Sequence, residues 1–362
     1  MRVAILADDL TSAGDGAAPF GAARVLLAPP PDGGGSGGGV MAVDLATRGA
    51  GAQDAASRTE AAARLFGGAG LLLKTVDSTL RGHLAAEVLA AWRGSGRRAV
   101  VVAPAFPAQG RTTVRGIQYV GDVPVAASEF GRDPVHPVRC SGLRALLPEA
   151  TAVPRGATPG IASGGMFVCD AVTDADLDRL VASVPRPEDV LWVGSPGLAA
   201  ALARRVGPLP SSTTPLPTLP VESPVVVVGS ANPVSRRQLA ALRRHAPHVR
   251  VAHTPQDRRE APHHLLPGLA EQVRELVADG TVDALVLTGG ETAAVVLSGL
   301  GADGFDLLDE PEPGVAQGLL TGSRRIPLII KAGGFGDDAT LLRLCRRLTG
   351  APLNSAPLGG AA

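Results

Sequence analysis

Short apolar runs that stop abruptly on clusters of glycine, hydroxyl and charged residues recur along the whole chain, with longer amphipathic stretches between them. Runs of this kind are strands buried on both faces, and the amphipathic stretches are the helices that cross from one parallel strand to the next. Strands are expected at 3–7, 40–44, 71–75, 99–103 and 191–194, then at 225–229, 249–253, 284–288 and 328–331. Helices are expected at 82–94, 173–183, 196–206, 233–245, 268–279, 292–300 and 338–348. Parallel sheets bind ligands beyond the carboxyl ends of their strands, which is where the polar clusters fall.

A chain of 362 residues is long enough for two cores. The segment 208–220, rich in proline and small polar residues, reads as an extended, fairly stiff linker between domains at 1–207 and 221–362. The expected fold class is therefore α/β, two domains with mainly parallel sheets and an interdomain cleft. The 34 acidic and 34 basic residues balance, which excludes a nucleic-acid footprint and favours a small polar ligand. Three scattered cysteines and an early Asp8-Asp9 pair point to a reducing, cytoplasmic setting without a disulfide framework or a leader. No run of about 18 apolar residues suggests a membrane span. The glycine-rich stretch 33–39 reads as a mobile loop, and the seven histidines, which lack ligand spacing, as surface residues. No metal site is expected from the residues.

Only two of the 34 basic residues are lysines, Lys74 and Lys331, and each opens a dense motif. An arginine-biased chain keeps a lysine where a compact point charge is wanted. KTVDSTLRG at 74–82 delivers Lys74, Asp77, Ser78, Thr79 and Arg81 into one loop: cations for a carboxylate, and oxygens for substrate hydroxyls. ADDLTSAGD at 7–15 places Asp8 and Asp9 just past the first strand, where paired acids hold hydroxyls or act as a base, or where one caps a helix. Thr47-Arg48 belongs to the same sheet edge. APAFPAQGRTT at 103–113 reads as a proline-stiffened pocket wall, and EFGRDP at 129–134 as a further edge. In the second half three turns, around Ser230, from Gly289 and Gly290 through Glu291 to Thr292, and at Gly333-Gly334 beside Lys331, offer backbone N–H groups at helix starts to an anion. None is a P-loop or a dinucleotide fingerprint.

As an ordered set these motifs, with VVVVGSANPVSRRQ at 225–238, LTGGETA at 287–293, EPGVAQG at 312–318 and KAGGFGDDATLLR at 331–343, resemble the four-carbon acid sugar kinase family across nearly the whole chain. The resemblance implies that 1–207 binds a sugar acid and 221–362 binds ATP, used with Mg²⁺, and that phosphate passes to a terminal hydroxyl. It implies substrate contacts at Asp9, Arg48 and the Lys74–Arg81 motif, to which the residues themselves add Asp8. It implies ATP contacts at Ser230, Gly289 to Thr292, Gly333 and Gly334. Lys331 is expected near the transferring phosphate, and the base is left open between Asp9, Asp77 and Asp337. Ser12 stands where many members have glycine, Ala231-Asn232 replaces the more usual pair, and the chain is shorter than typical. Those departures bear on which acid is used. The alternatives are a non-catalytic sugar-acid or nucleotide sensor, a kinase for another small hydroxy acid, or a nucleotide-using ligase or oxidoreductase. A homo-oligomer is left open.

Overall fold

The computed structural model describes residues 1–33, 38–133, 136–209, 221–229, 232–255, 262–322 and 324–350. Most of the expected linker, Ser230 and the centre of the glycine run lie outside the described residues. The chain divides into two compact units, Met1–Thr213 and Thr214–Ala362.

The first unit contains β1 (Arg2–Ala7), α1 (Leu10–Ala17), β2 (Ala23–Leu26), β3 (Gly39–Asp44), α2 (Ala52–Leu65), β4 (Leu71–Thr75), α3 (Leu84–Ser95) and β5 (Ala99–Ala103). It continues with β6 (Arg111–Val114), β7 (Ile117–Val120), β8 (Val123–Pro124), α4 (Leu143–Leu146), β9 (Thr151–Val153), β10 (Gly165–Cys169), α5 (Asp174–Ala182), β11 (Val190–Gly194) and α6 (Pro196–Val206). Its main sheet runs β2-β3-β1-β4-β11-β5-β10-β9, every pair parallel. Strands β4, β5 and β11 are buried at every position because helices cover both faces. The order reverses at β1, with β3 on one side and β4 on the other, and such a reversal opens a crevice at the carboxyl ends.

The second unit contains β12 (Pro224–Val228), α7 (Pro233–His245), β13 (Arg250–His253), α8 (Pro262–Ala278), β14 (Ala284–Thr288), α9 (Gly290–Gly299), β15 (Ala302–Glu312), β16 (Val315–Gly322), β17 (Pro327–Lys331) and α10 (Thr340–Thr349). Its strands follow the order β13-β12-β14-β17-β16-β15, parallel as far as β17 and antiparallel beyond it. Here the order reverses at β12.

Every expected strand and helix is present within a few residues except one: the helix expected from 268 starts at Pro262, six residues earlier, with Pro267 inside it. The sequence stop at Pro267-Gly268 suggested a boundary that the chain passes through. The expected pocket wall at 103–113 is partly a strand, since Arg111–Val114 opens a three-stranded antiparallel sheet with β7 and β8. His83 and His136, expected on the surface, are partly buried, and His83 Nε2 lies 2.6 Å from Ala50 O.

Candidate active site

Three loops at the carboxyl ends of β1, β3 and β4 meet at the reversal point of the first unit. Asp9 caps α1, its Oδ1 accepting from Ser12 N at 2.7 Å and Thr11 Oγ1 at 2.9 Å. The capping reading of this pair is thus right for Asp9, and Asp8 has a different duty. Arg48, in the turn that follows β3, reaches back with all three nitrogens. Nε donates to Asp8 Oδ2 at 2.8 Å, Nη1 to Asp9 Oδ2, and Nη2 to Ser12 Oγ at 2.9 Å. Asp8 is 3% exposed, and its Oδ1 has no hydrogen-bond partner among the described residues. A buried acceptor left open is costly unless a ligand supplies its donor.

The loop after β4 folds around Asp77. Arg81 Nε donates to Asp77 Oδ2 at 2.5 Å and Nη2 to Oδ1 at 3.3 Å, while Thr79 Oγ1 donates to Oδ2 at 2.5 Å. The Arg81 guanidinium lies over the Phe130 ring, 5.5 Å from its centre. Ser78 is anchored through its carbonyl, which accepts from Gln118 Nε2 of β7 at 2.8 Å. Two non-glycine residues in these loops, Ala46 (φ +49°) and Leu80 (φ +62°), hold left-handed conformations, which cost about 1 kcal/mol each.

The electrostatics divide the carboxylates. Burial would raise Asp77, but Arg81 and Arg48 outweigh it and hold the carboxyl well below its usual range. The same contest lowers Asp8, with Arg48 and Lys74 prevailing over burial. Asp44, the last residue of β3, is pushed up to about 7 by burial, and the charges of Asp9 and Asp8 add to the effect. Lys74 is fully buried. Its Nζ forms an ion pair with Glu87 Oε2 of α3 at 2.9 Å and donates to Thr75 O at 2.6 Å, and Thr47 Oγ1 donates to the same Glu87 oxygen at 3.0 Å. Lys74 therefore lies behind the loops, tying β4, α3 and the Arg48 loop together.

Beside Arg81 opens a cavity of about 500 Å³. Among its lining residues are Arg81, Gly82, His83, His136 and Arg139. Burial and the nearby Arg48 lower His136 from the usual imidazole range, favouring the neutral ring.

In the second unit the turns after β12, β14 and β17 lie at adjacent strand ends. Gly289 takes φ +95°, where only glycine is at ease, and as the cap of α9 it offers no side-chain acceptor to the first N–H groups of the helix. Thr292 packs so closely on Gly229 that any Cβ there would collide with it. Glu291 is exposed in the first turn of α9. Lys331 is fully buried, and its Nζ donates to Ala332 O at 2.7 Å, Phe335 O at 3.0 Å and Gly333 O at 3.3 Å. Asp337 is mostly exposed, accepts from Ala339 N at 2.9 Å, and pairs with Arg343 Nη1 at 2.7 Å.

The structure thus gathers Asp8, Asp9, Arg48, Asp77, Thr79 and Arg81 on one face, and Gly289, Gly290, Thr292, Gly333 and Gly334 on the other unit's strand ends. Sequence reasoning missed Glu87 and Asp44. Glu87 interrupts the apolar stripe of Leu84, Val88 and Ala91 on α3, a buried-charge signal that was available. Asp44 looked only like the end of a strand.

Two family models match the chain: a sugar-binding N-terminal domain over residues 3–202 and a nucleotide-binding C-terminal domain over residues 256–341. A D-threonate kinase of Bordetella bronchiseptica is 34% identical, covering 96% of this chain and 97% of its own. A D-threonate kinase of Cupriavidus necator is 35% identical, covering 95% and 97%. A D-erythronate kinase of Heliobacterium modesticaldum is 27% identical over 83% and 84%. Among solved structures, a domain of unknown function from Bordetella bronchiseptica, a domain-swapped dimer with bound citrate, matches with a TM-score of 0.53 and 31% identity, covering 96% of this chain and 99% of that one.

Proposed function

The chain belongs to the four-carbon acid sugar kinase family, and from that premise we propose that it transfers the terminal phosphoryl group of ATP to a hydroxyl of D-threonate. The observation that carries this reading is the open, buried Asp8 Oδ1 inside a frame of Arg48, Asp9, Asp77 and Arg81. Such a frame suits a polyhydroxy acid, with oxygens for its hydroxyl groups and guanidinium N–H groups for its carboxylate. The choice of D-threonate rests on the 29–35% identity to three D-threonate kinases against 27% for the D-erythronate kinase.

The roles follow from the contacts. Asp77, kept charged by Arg81 and Arg48, is a fixed acceptor for a substrate hydroxyl and a poor proton acceptor. Asp9 is therefore assigned to orient the attacking hydroxyl and take its proton. Asp337, in the second unit, accepts from Ala339 N and pairs with Arg343, and is the rival candidate for the base. Arg81 and the neighbouring cavity with Arg139 receive the acid's carboxylate. Positioning of this kind is the main demand of phosphoryl transfer, which needs little covalent help.

The uncapped start of α9, the left-handed Gly289 and the bare glycines at 333 and 334 fit the phosphates of ATP. With Mg²⁺ the nucleotide supplies the phosphoryl group and neutralises its developing charge. No group of three or more His, Cys, Asp or Glu side chains able to hold a metal is present among the described residues. Among the described residues no helix is long and apolar enough to cross a membrane. Use of ATP and three free cysteines support a cytoplasmic location. The likeness to a domain-swapped dimer supports a dimer, which light scattering checks.

The test is incubation with Mg²⁺-ATP and separate four-carbon acids, following ADP and the mass of the phosphorylated product. Fastest turnover is expected on D-threonate. A preference for D-erythronate or a 3-oxo-tetronate would sink the substrate assignment, and nucleotide binding without turnover on any acid would sink the kinase reading.

A further inference from the structure

We propose that Lys331 is a positioning residue that turns the backbone N–H groups of the 332–338 turn toward the nucleotide's phosphates, touching no phosphate itself. The proposal rests on the nucleotide reading of the second unit given above. An ammonium has three N–H donors, and here three carbonyls, those of Ala332, Gly333 and Phe335, receive them. The same turn is drawn in from α7 by two fully buried side chains. Ser235 Oγ donates to Gly333 O at 2.7 Å, and Gln238 Nε2 donates to Phe335 O and to Asp337 O, both at 2.9 Å.

The consequence follows from peptide geometry. Among the described residues none of the peptide bonds is cis. In a trans peptide the N–H points opposite to the C=O of the preceding residue. With the carbonyls of 332, 333, 335 and 337 facing Lys331 and α7, the N–H groups of Gly333, Gly334, Gly336 and Asp338 face the other way. Three of those four positions are glycines, so no side chain of their own covers these N–H groups, as an anion-binding turn requires. A planar guanidinium cannot aim three donors at carbonyls that converge on one point, which accounts for a lysine surviving in an arginine-rich chain.

Burial pushes Lys331 down to about 8, opposed only by Glu312 on β15. The facing residues of α7, Ser235 and Gln238, are uncharged, and the Asp337 carboxylate in the turn is committed to Ala339 N and Arg343. Loss of the proton leaves two N–H donors for three carbonyls and a lone pair against the third, so the turn loosens. By linkage, a phosphate bound across the turn raises the titration of Lys331.

The chain has just two lysines, so full-length protein carrying carbon-13-labelled lysine gives two side-chain Cε resonances, each followed through pH with and without Mg²⁺-ADP. Calorimetry measures ADP affinity in parallel. Expected are a Lys331 titration that moves up with ADP while the Lys74 signal does not respond, and a wild-type affinity that falls between about pH 7 and 9 (one unit either side of the Lys331 midpoint of about 8). Lys331→Met is expected to lose about tenfold or more in affinity at pH 7 and to show no such fall, and Lys331→Arg not to restore it. Wild-type affinity that stays level over that range, with a Lys331 signal blind to ADP, overturns the proposal. So does unchanged affinity in Lys331→Met. If Lys331→Met does not fold, the wild-type titration decides alone. Failure of the wild type to bind ADP at all would instead refute the nucleotide reading, and the proposal with it.

Discussion

Lys74 and Lys331 are both fully buried at the ends of interior parallel strands, and both donate to the carbonyl of the very next residue. Their remaining partners differ in kind. Lys74 is matched by a full negative charge, Glu87, whereas the further hydrogen bonds of Lys331 among the described residues go to backbone carbonyls. A buried charge needs a partner that replaces its hydration, and these are two solutions to that requirement. The first fastens an array of carboxylates and guanidinium groups in place and cannot be undone on one side without stranding the other. The second organises a loop of dipoles and can be switched off by removal of one proton.

That contrast is broken most severely at Lys74. Lys74→Met leaves Glu87 buried without its cation and is expected to cost about 3–5 kcal/mol in urea unfolding. The double variant Lys74→Met/Glu87→Leu should recover most of it. A loss under 1 kcal/mol in the single variant would show that the pair does not hold the loops. Next is Arg48→Ala, which deprives Asp8 and Asp9 together. A fall of about a hundredfold or more in kcat/KM on D-threonate is expected, with little change in ADP affinity, and steady-state kinetics beside calorimetry separate the two.

Asp44 sharpens the comparison through pH. Its folded value of about 7 exceeds the ordinary 3.8, so between those values the folded protein binds more protons than the unfolded chain. Its contribution to stability therefore declines as pH rises from about 4 to 7 and stays low above that. Asp44→Asn, which can still accept from Ala46 N, should raise the melting temperature at pH 8 and change it much less at pH 4. An equal shift at both values would contradict the raised carboxyl. Ser12→Gly is the mildest change: it removes one acceptor from Arg48 Nη2, for about 1 kcal/mol or less, read as a small rise in KM with kcat retained.

Much of this was legible in the chain because the strands that carry the site are continuous apolar runs ending on motifs. The runs at 3–7, 71–75 and 328–331 fall on β1, β4 and β17. The β15 and β16 hairpin was not legible, since Asp303, Asp306, Asp309 and Glu310 break any apolar run. Helix α1 was hidden by the Asp8-Asp9 motif, whose second member is its cap. The motifs singled out Asp8, Arg48 and Arg81 as candidate site residues. They could not show that Arg48 spends three nitrogens on Asp8, Asp9 and Ser12, or that Lys74 faces inward to a glutamate on the next helix. Those are pairings across sequence separations of 13 to 40 residues, set by strand order and not by local pattern.

The most direct measurement of the central claim is a parallel assay of wild type and Asp9→Asn on D-threonate with Mg²⁺-ATP, counting ADP and phosphorylated acid in the same sample. The account predicts equal amounts of both from the wild type and almost none from the variant, which still binds ADP. A variant that retains full turnover, or a wild type that releases ADP without a phosphorylated acid, would contradict it.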